Sequence, residues 1–203
     1  MPDRGKRRKT VEELEAELRA DPEWVAQEKL RDEEVENRAQ ELRDAQGPLL
    51  QELRSVGLDL DTVWRLVNVP NTPEAAIPVL IRHLHGNYPA RVREGIARAL
   101  AVPEARPAWD ILVSSFRASA IANDGDVSVG LACALDAMAV AADFDTIAEL
   151  VAAPQYGEAR GILVYTLAKL SRERARKILE PLKDDPDLAQ NIKPALKGKR
   201  SVD

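Results

Sequence analysis

Two histidines, His83 and His85, are the side chains of this sequence best suited to metal binding or proton transfer, because imidazole does both near neutral pH. They are two positions apart in a stretch with helical periodicity, so their side chains point about 160° away from each other and do not share a metal. The one cysteine, Cys133, lies far along the chain from both. The sequence therefore predicts no metal site.

Other short motifs that carry chemistry are weak or missing. The stretch Asn-Asp-Gly-Asp at 123–126 resembles the start of a calcium loop, but the ligands that must follow it, above all a bidentate glutamate, are absent. We interpret it as a turn before a helix. The sequence has no Gly-rich phosphate loop and no dinucleotide fingerprint, and neither histidine belongs to a Ser/His/Asp arrangement. These absences predict a protein that is not an enzyme and uses no cofactor.

The elements that would position any site come from a nine-residue pattern that recurs along the chain. The pattern "VREGIARAL" at 92–100 forms one apolar face of a helix, with Gly95 and Ala99 as a small-residue strip that lets another helix come close. It returns as "VSVGLACAL", "ARGILVYTL" and "LAQNIKPAL", which begin at 127, 159 and 188. A second apolar pattern precedes each copy and begins at Ile77, Trp109, Phe144 and Ala175. Because both patterns advance together by roughly 30–35 residues, they predict a helical hairpin repeated about four times.

These repeats resemble the HEAT-like family of helical repeats. The resemblance depends on Val92-Arg93, on its looser counterpart Ala159-Arg160, and on Pro78 inside the first helix of the first unit. The second and fourth units lack the arginine. The resemblance covers residues 73–200 and implies an all-α fold, a right-handed α-solenoid of about four hairpins. Such a motif is specific for a fold and says almost nothing about function.

The resemblance bears on two further sets of residues. In HEAT-like repeats, arginines at the positions of Arg93 and Arg160 bridge adjacent units through carboxylates, which implies the same role here. Trp109-Asp110 has the residue types that HEAT-like alkylpurine glycosylases pair on their concave face, a base-stacking aromatic beside a catalytic carboxylate. Trp109, however, occupies the first apolar slot of an outer helix, equivalent to Ile77. We therefore expect Trp109 to be a core residue.

The concave face of such a solenoid is lined by the exposed sides of the second helices. These sides carry, in the first three units, Arg91, Glu94, Arg98, Val129, Cys133 and Tyr165. The positions are charged in the first unit and become apolar in the next two. An exposed apolar strip flanked by charge is typical of a partner surface. The alternative, that the acidic N-terminal helix or a loop covers the strip, fits the sequence equally well.

The sequence predicts three regions: a disordered basic tail at 1–9, a helical extension that caps the repeats at 10–70, and the HEAT-like repeat domain at 71–200. In the extension, Thr10 and Glu13 have the spacing of a capping box. Thr72 is expected to be the N-cap of the first repeat helix, with Pro73 as its first residue.

Composition limits the partners and the compartment. The 203 residues include 34 acidic and 29 basic ones, which gives a formal net charge of −5, and no basic stripe follows the repeats. Nucleic acid would therefore bind weakly at most, through the basic ends. A single cysteine excludes an internal disulfide and favours a reducing, cytoplasmic location. No apolar stretch approaches the ~20 residues that span a bilayer, so no membrane partner is expected.

Together these observations predict a non-catalytic protein–protein interaction module. Its concave face would bind another protein, whose identity the sequence does not give. An inhibitor or immunity-type binding protein is one specific version, by analogy with small bacterial solenoids. The alternative is a nucleic-acid-binding, DNA-glycosylase-like HEAT protein, which the acidic charge balance disfavours. An enzyme ranks third, because no acid–base or metal constellation is present.

Overall fold

The structure is a computed structural model that describes residues 10–122 and 124–198. These residues form helices and no strand, so the all-α prediction is confirmed. The α-helices are α1 Val11–Ala20, α2 Pro22–Ala45, α3 Gly47–Ser55, α4 Trp64–Val67, α5 Ala76–His83, α6 Ala90–Ala99, α7 Trp109–Ile121, α8 Gly125–Met138, α9 Phe144–Ala152, α10 Arg160–Leu170, α11 Arg172–Leu179 and α12 Ala189–Lys197. Short 3₁₀ segments lie at Pro103–Ala108, Ala141–Asp143, Pro154–Ala159 and Glu180–Leu182. None of the described helices is both long enough and apolar enough to cross a bilayer. The tail predicted at 1–9 lies outside the described residues.

The chain divides into two compact units with a boundary between Asp44 and Ala45. In the first unit, the capping box predicted at the start of α1 is present. The Glu13 backbone N–H donates to Thr10 Oγ1 at 3.2 Å, and the Thr10 N–H donates to Glu13 Oε2 at 3.1 Å. Neither α1 nor α2 buries a side chain. Helices α3 and α4, which the sequence grouped with the N-terminal extension, belong to the second unit.

In the second unit, α5 to α12 lie where the two recurring patterns predict them. Each odd-numbered helix packs on the next even-numbered one, and the even-numbered helices pack on one another in chain order, α6 on α8, α8 on α10 and α10 on α12. Helices α3 and α4 continue this order towards the N-terminus, since α3 packs on α5 and α4 packs on α6. The short helix α4 therefore covers the side of α6 that faces away from α8.

The core of the second unit consists of the apolar positions that the patterns select. The second helices bury Val92, Ile96, Leu100, Leu131, Leu135, Leu163 and Leu167, each at most 1% exposed. Trp109 is also buried, so the prediction that it is a core residue is confirmed. Burial of such side chains contributes roughly 1.5–3 kcal/mol each and is the main source of stability for a helical unit of this kind.

Close approach of the helices requires glycine at two equivalent positions. A Cβ added to Gly95 would lie 2.6 Å from Val63 Cγ1 and 3.0 Å from Trp64 Nε1, so the start of α4 and the residue before it occupy the space that a side chain would need. A Cβ added to Gly130 would lie 3.1 Å from the carbonyl oxygen of Glu94, so α8 approaches the α6 backbone closely. The small-residue strip predicted at Gly95 is therefore a helix contact.

Thr72 does not cap the first repeat helix, because α5 begins only at Ala76. Its side chain is buried, and its hydroxyl donates to the carbonyl oxygen of Ala99 at 2.6 Å. The last carbonyls of a helix have no partner within that helix. Thr72 thus satisfies the C-terminal end of α6 rather than the N-terminal end of α5, and the N-cap prediction was wrong.

Candidate functional site

The six residues predicted for the concave face lie on three helices that pack in chain order, and we name them the α6–α8–α10 face. Helix α6 carries Arg91, Glu94 and Arg98, α8 carries Val129 and Cys133, and α10 carries Tyr165. Arg91 is exposed and Glu94 is buried, whereas the other four are partly buried. Five of the six side chains therefore retain exposed surface.

Glu94 does not face outward as its helical position predicts. Its side chain is 6% exposed, and its carboxylate accepts hydrogen bonds from Arg91 Nη1 at 2.8 Å and Arg98 Nε at 2.7 Å. The expectation was wrong because it treated α6 as an isolated helix, whereas α8 lies close to α6 at Gly130. A buried carboxylate requires compensating charge, which the two arginines supply. Only the arginines of this group can present charge to a partner.

Arg91 is held in place by Trp64 of α4. Its guanidinium lies 3.7 Å from the centroid of the indole ring, and the indole Nε1–H donates to the Arg91 carbonyl oxygen at 3.2 Å. A cation–π contact of this kind contributes about 0.5–1 kcal/mol at an exposed site. Trp64 is itself half-buried. It fixes one end of the α6–α8–α10 face.

The structure joins some of the predicted residues and separates others. Arg98 Nη1 lies 3.8 Å from Cys133 Sγ, so the charged and apolar parts of the face meet between α6 and α8. Val129 lines a cleft of about 300 Å³ with Tyr156 and Glu158. Tyr165 lines a different pocket, which extends towards α12. Val129 and Tyr165 therefore line two different concave regions of the surface.

A buried carboxylate beside Tyr165 was not found from the sequence. Asp136 of α8 is 9% exposed and accepts a hydrogen bond from Thr166 Oγ1 at 2.9 Å. Lys169 Nζ donates to Asp136 Oδ1 at 3.2 Å and to the Asp136 carbonyl oxygen at 2.7 Å. These bonds join α10 to α8. No local signal marks them, because the partners lie 30 and 33 positions apart.

The two arginines assigned by the resemblance to bridging roles do bridge successive helix pairs. Arg93 forms an ion pair with Asp124, which precedes α8. Arg160 is 1% exposed and binds Asp185 at 2.9 Å and Asp187 at 2.9 Å, both in the segment before α12. The Arg160 guanidinium holds the pKa of the Asp185 carboxyl below its ordinary value, mainly through their hydrogen bond. These arginines are occupied by structural contacts and are not free to bind a ligand.

A third bridge of the same kind escaped sequence reasoning. Arg106 binds the buried carboxylate of Asp143 through two hydrogen bonds of 2.6 and 2.9 Å. This contact raises the pKa of the Arg106 guanidinium above its ordinary value. Both residues lie in 3₁₀ segments, outside the helical patterns that the repeats follow. Helical periodicity therefore could not identify this pair.

His83 is engaged on both sides of its ring. Its Nδ1 lies 2.5 Å from the Tyr88 hydroxyl, and its Nε2 lies 2.6 Å from Glu52 Oε2. Hydrogen bonds from Arg82, then from His83, lower the pKa of the Glu52 carboxyl, while burial raises the pKa of the Tyr88 phenol. The cluster joins α3 to α5 and leaves no ring nitrogen free for a metal. Within residues 10–122 and 124–198, no group of three or more His, Cys, Asp or Glu side chains is placed to hold a metal ion.

The chain matches no protein-family model, no curated protein and no solved structure. Function must therefore be inferred from the packing of the helices and from the side chains on the α6–α8–α10 face.

Proposed function

We propose that residues 45–198 form a HEAT-like α-solenoid whose α6–α8–α10 face binds another protein without catalysis. The observation that supports this proposal most strongly is the packing of equivalent helices in chain order, α4, α6, α8, α10 and α12. Stacking of that kind buries a continuous core and leaves an extended surface on the same side of every unit. Repeat proteins use such surfaces to bind partners.

The side chains on this face are held in place before any partner arrives. Glu94 fixes Arg98, and Trp64 holds Arg91. Binding to a rigid surface avoids the entropy cost of about 0.5–1.5 kcal/mol for each side chain that would otherwise be ordered. Tyrosine and arginine, both present here as Tyr165 and Arg98, are the residue types enriched at the energetic centres of protein interfaces.

The partner is proposed to be a protein of the same reducing compartment, which for a chain with one cysteine is the cytoplasm. An inhibitor or immunity-type role, in which the face covers the active site of a partner, is one form of this function. In that form Arg91 and Arg98 on α6 would lie at the rim of the interface. The clefts beside Val129 and Tyr165 would receive side chains of the partner that anchor it.

The experiment that tests this function compares two matched substitutions, one on α8 within the face and one on α7 outside it. Val129→Arg changes a partly exposed aliphatic residue of the face, and Ile111→Arg changes an aliphatic residue of α7 that is 41% exposed and lies outside the face. The wild-type chain and both variants are used to capture proteins from the source cell. Each captured protein is then purified and titrated against all three chains by calorimetry, and circular dichroism checks folding.

We expect a partner that binds the wild type and Ile111→Arg equally, and Val129→Arg at least about tenfold more weakly. If the partner bound all three chains with equal affinity, the interface would lie outside this face. Retention of nucleic acid with submicromolar affinity at physiological salt, in place of a protein, would favour the nucleic-acid alternative.

A further inference from the structure

A small pocket beside Tyr165 has unusual polar chemistry. It has a volume of about 190 Å³ and is lined by Asp136, Tyr165, Ala168, Lys169, Arg172, Ala195 and Gly198, from α8, from α10, and from the start of α11 and the end of α12. This volume suits the end of one side chain or a small acid. The pocket belongs to the second unit alone.

The Tyr165 hydroxyl is buried and has no hydrogen-bond partner among residues 10–122 and 124–198. A buried polar group without a partner destabilises the fold, and native proteins rarely retain one unless something else satisfies it. The neighbouring hydroxyl of Thr166 differs, because it donates to Asp136 at 2.9 Å. Among the described polar groups of the pocket, the Tyr165 hydroxyl is therefore the one that a ligand would satisfy.

The charges that line the pocket sum to an excess of one cation. Lys169 and the Asp136 carboxylate compensate each other through their ion pair. Arg172 forms no ion pair in the part of the chain that the structure describes. Its Nη2 atom lies 2.7 Å from the point where a Cβ of residue 198 would stand. Because residue 198 is a glycine, the Arg172 guanidinium has room to lie beside the pocket. Arg172 is also the first residue of α11, where the helix dipole favours negative charge.

The geometry points to a carboxylate-binding pocket in which Arg172 pairs with an acidic group of the partner protein and the Tyr165 hydroxyl donates a hydrogen bond to it. This inference rests on the proposed function and names the chemistry of the partner's anchor. Because the hydroxyl is buried, a lining side chain must move for the ligand to reach it. Arg172, whose side chain is long and exposed, is able to do so. Charge-assisted hydrogen bonds of this kind are about twice as strong as neutral ones.

The test uses the full chain and small probes, so that it does not depend on finding the partner. The probes are a capped tripeptide with one central glutamate, its glutamine analogue, and inorganic phosphate, each titrated by NMR. The variants are Tyr165→Phe, which removes only the hydroxyl, and Arg172→Gln. Arg176→Gln is the matched control, because Arg176 lies one turn further along α11 and does not line the pocket.

We expect the glutamate tripeptide to give saturable shifts at the pocket residues and the glutamine analogue to bind about tenfold more weakly. Tyr165→Phe and Arg172→Gln should each lower the affinity for the glutamate tripeptide by about tenfold, and Arg176→Gln should lower it by less than about twofold. The unfolding midpoint of Tyr165→Phe should stay constant or rise, because an unsatisfied buried hydroxyl is removed.

Equal binding of the two tripeptides, no saturable shift at the pocket, or equal affinity of Tyr165→Phe and the wild type would overturn the inference. If the pocket bound phosphate more tightly than it bound the glutamate tripeptide, it would be assigned to a free anion instead. The two proposals fail separately. If the captured partner is lost by Val129→Arg but is unaffected by Tyr165→Phe and Arg172→Gln, the binding face stands and the carboxylate pocket does not. If the tripeptide binds but no partner is captured, the pocket stands and the interaction function fails.

Discussion

The helices of residues 10–44 and those of residues 45–198 are stabilised in different ways. Helix α1 has a capping box, and α2 has local ion pairs such as Lys29–Glu33, but neither helix buries a side chain, and Leu30 is 59% exposed. In the second unit, every helix of at least eight residues buries apolar side chains against another helix. Caps and neighbouring charges favour the helices of the first unit locally, whereas a cooperative unit needs a shared core.

Ion pairs show the same contrast. In the first unit Arg43 is 42% and Glu36 73% exposed, so water screens their attraction. In the second unit Arg160 is 1% exposed and is surrounded by its acceptors. Exposed pairs contribute about 0–1 kcal/mol, while loss of one member of a buried pair costs several times more. From the largest effect to the smallest, the first two of four predictions compare the units directly, and the last two test contacts within the second unit.

Arg160→Ala should lower the free energy of unfolding by about 3–5 kcal/mol, because it leaves Asp185 and Asp187 without their cation and opens a cavity. Arg43→Ala, the same change in the first unit, should lower it by less than about 1 kcal/mol. Urea unfolding followed by circular dichroism measures both. Similar losses for the two variants would show that burial does not separate the units.

Leu135→Ala should cost about 2–5 kcal/mol, since this side chain is fully buried in α8 and its removal leaves a cavity. Leu30→Ala, in the exposed α2, should change the free energy of unfolding by no more than about 0.5 kcal/mol. The same urea titrations apply. A large loss for Leu30→Ala would mean that α2 contributes to a core in solution.

Gly130→Ala should destabilise the second unit by about 1 kcal/mol. Alanine is the better helix former, but its Cβ would press on the Glu94 carbonyl oxygen, and backbone yields less readily than a side chain. Gly125→Ala, where nothing lies within 4 Å, should instead stabilise by about 0.5 kcal/mol. The thermal midpoint of each variant, compared with that of the wild type, shows whether the substitution stabilises or destabilises the second unit. Stabilisation by both would exclude a tight contact between α6 and α8.

Acid should weaken the contact between α3 and α5. Hydrogen bonds from Arg82 and His83 lower the pKa of Glu52 from its ordinary 4.5. The stability that this carboxylate contributes is therefore complete above the unfolded pKa and is lost as the pH falls through the lower, folded pKa. Unfolding midpoints of the wild type should decline over that acidic range, and Glu52→Gln should decline less. If the unfolding midpoints of the wild type and of Glu52→Gln declined equally with falling pH, Glu52 would not be the cause of the acid response.

The positions of α5 to α12 could be predicted because their signal is local and repeated. Apolar spacing selects residues such as Leu100 and Leu135, and both are fully buried. The candidate site was predicted only in part. Tyr165 was predicted to face a partner, which stays a prediction, whereas Asp136 and Arg172, which line the same pocket, were not singled out. Arg172 lies at the start of the next helix, so no periodicity within α10 includes it.

The sequence by itself determined which segments are helical and which side of each helix is apolar, because both depend on residues three or four positions apart. It did not determine which polar residues become buried. The tertiary structure alone decided that Glu94 lies under two arginines, that Thr72 binds the end of α6, and that the Tyr165 hydroxyl finds no partner among the described residues. Those outcomes depend on how closely neighbouring helices approach, and a distance between helices is not encoded in the spacing within any one of them.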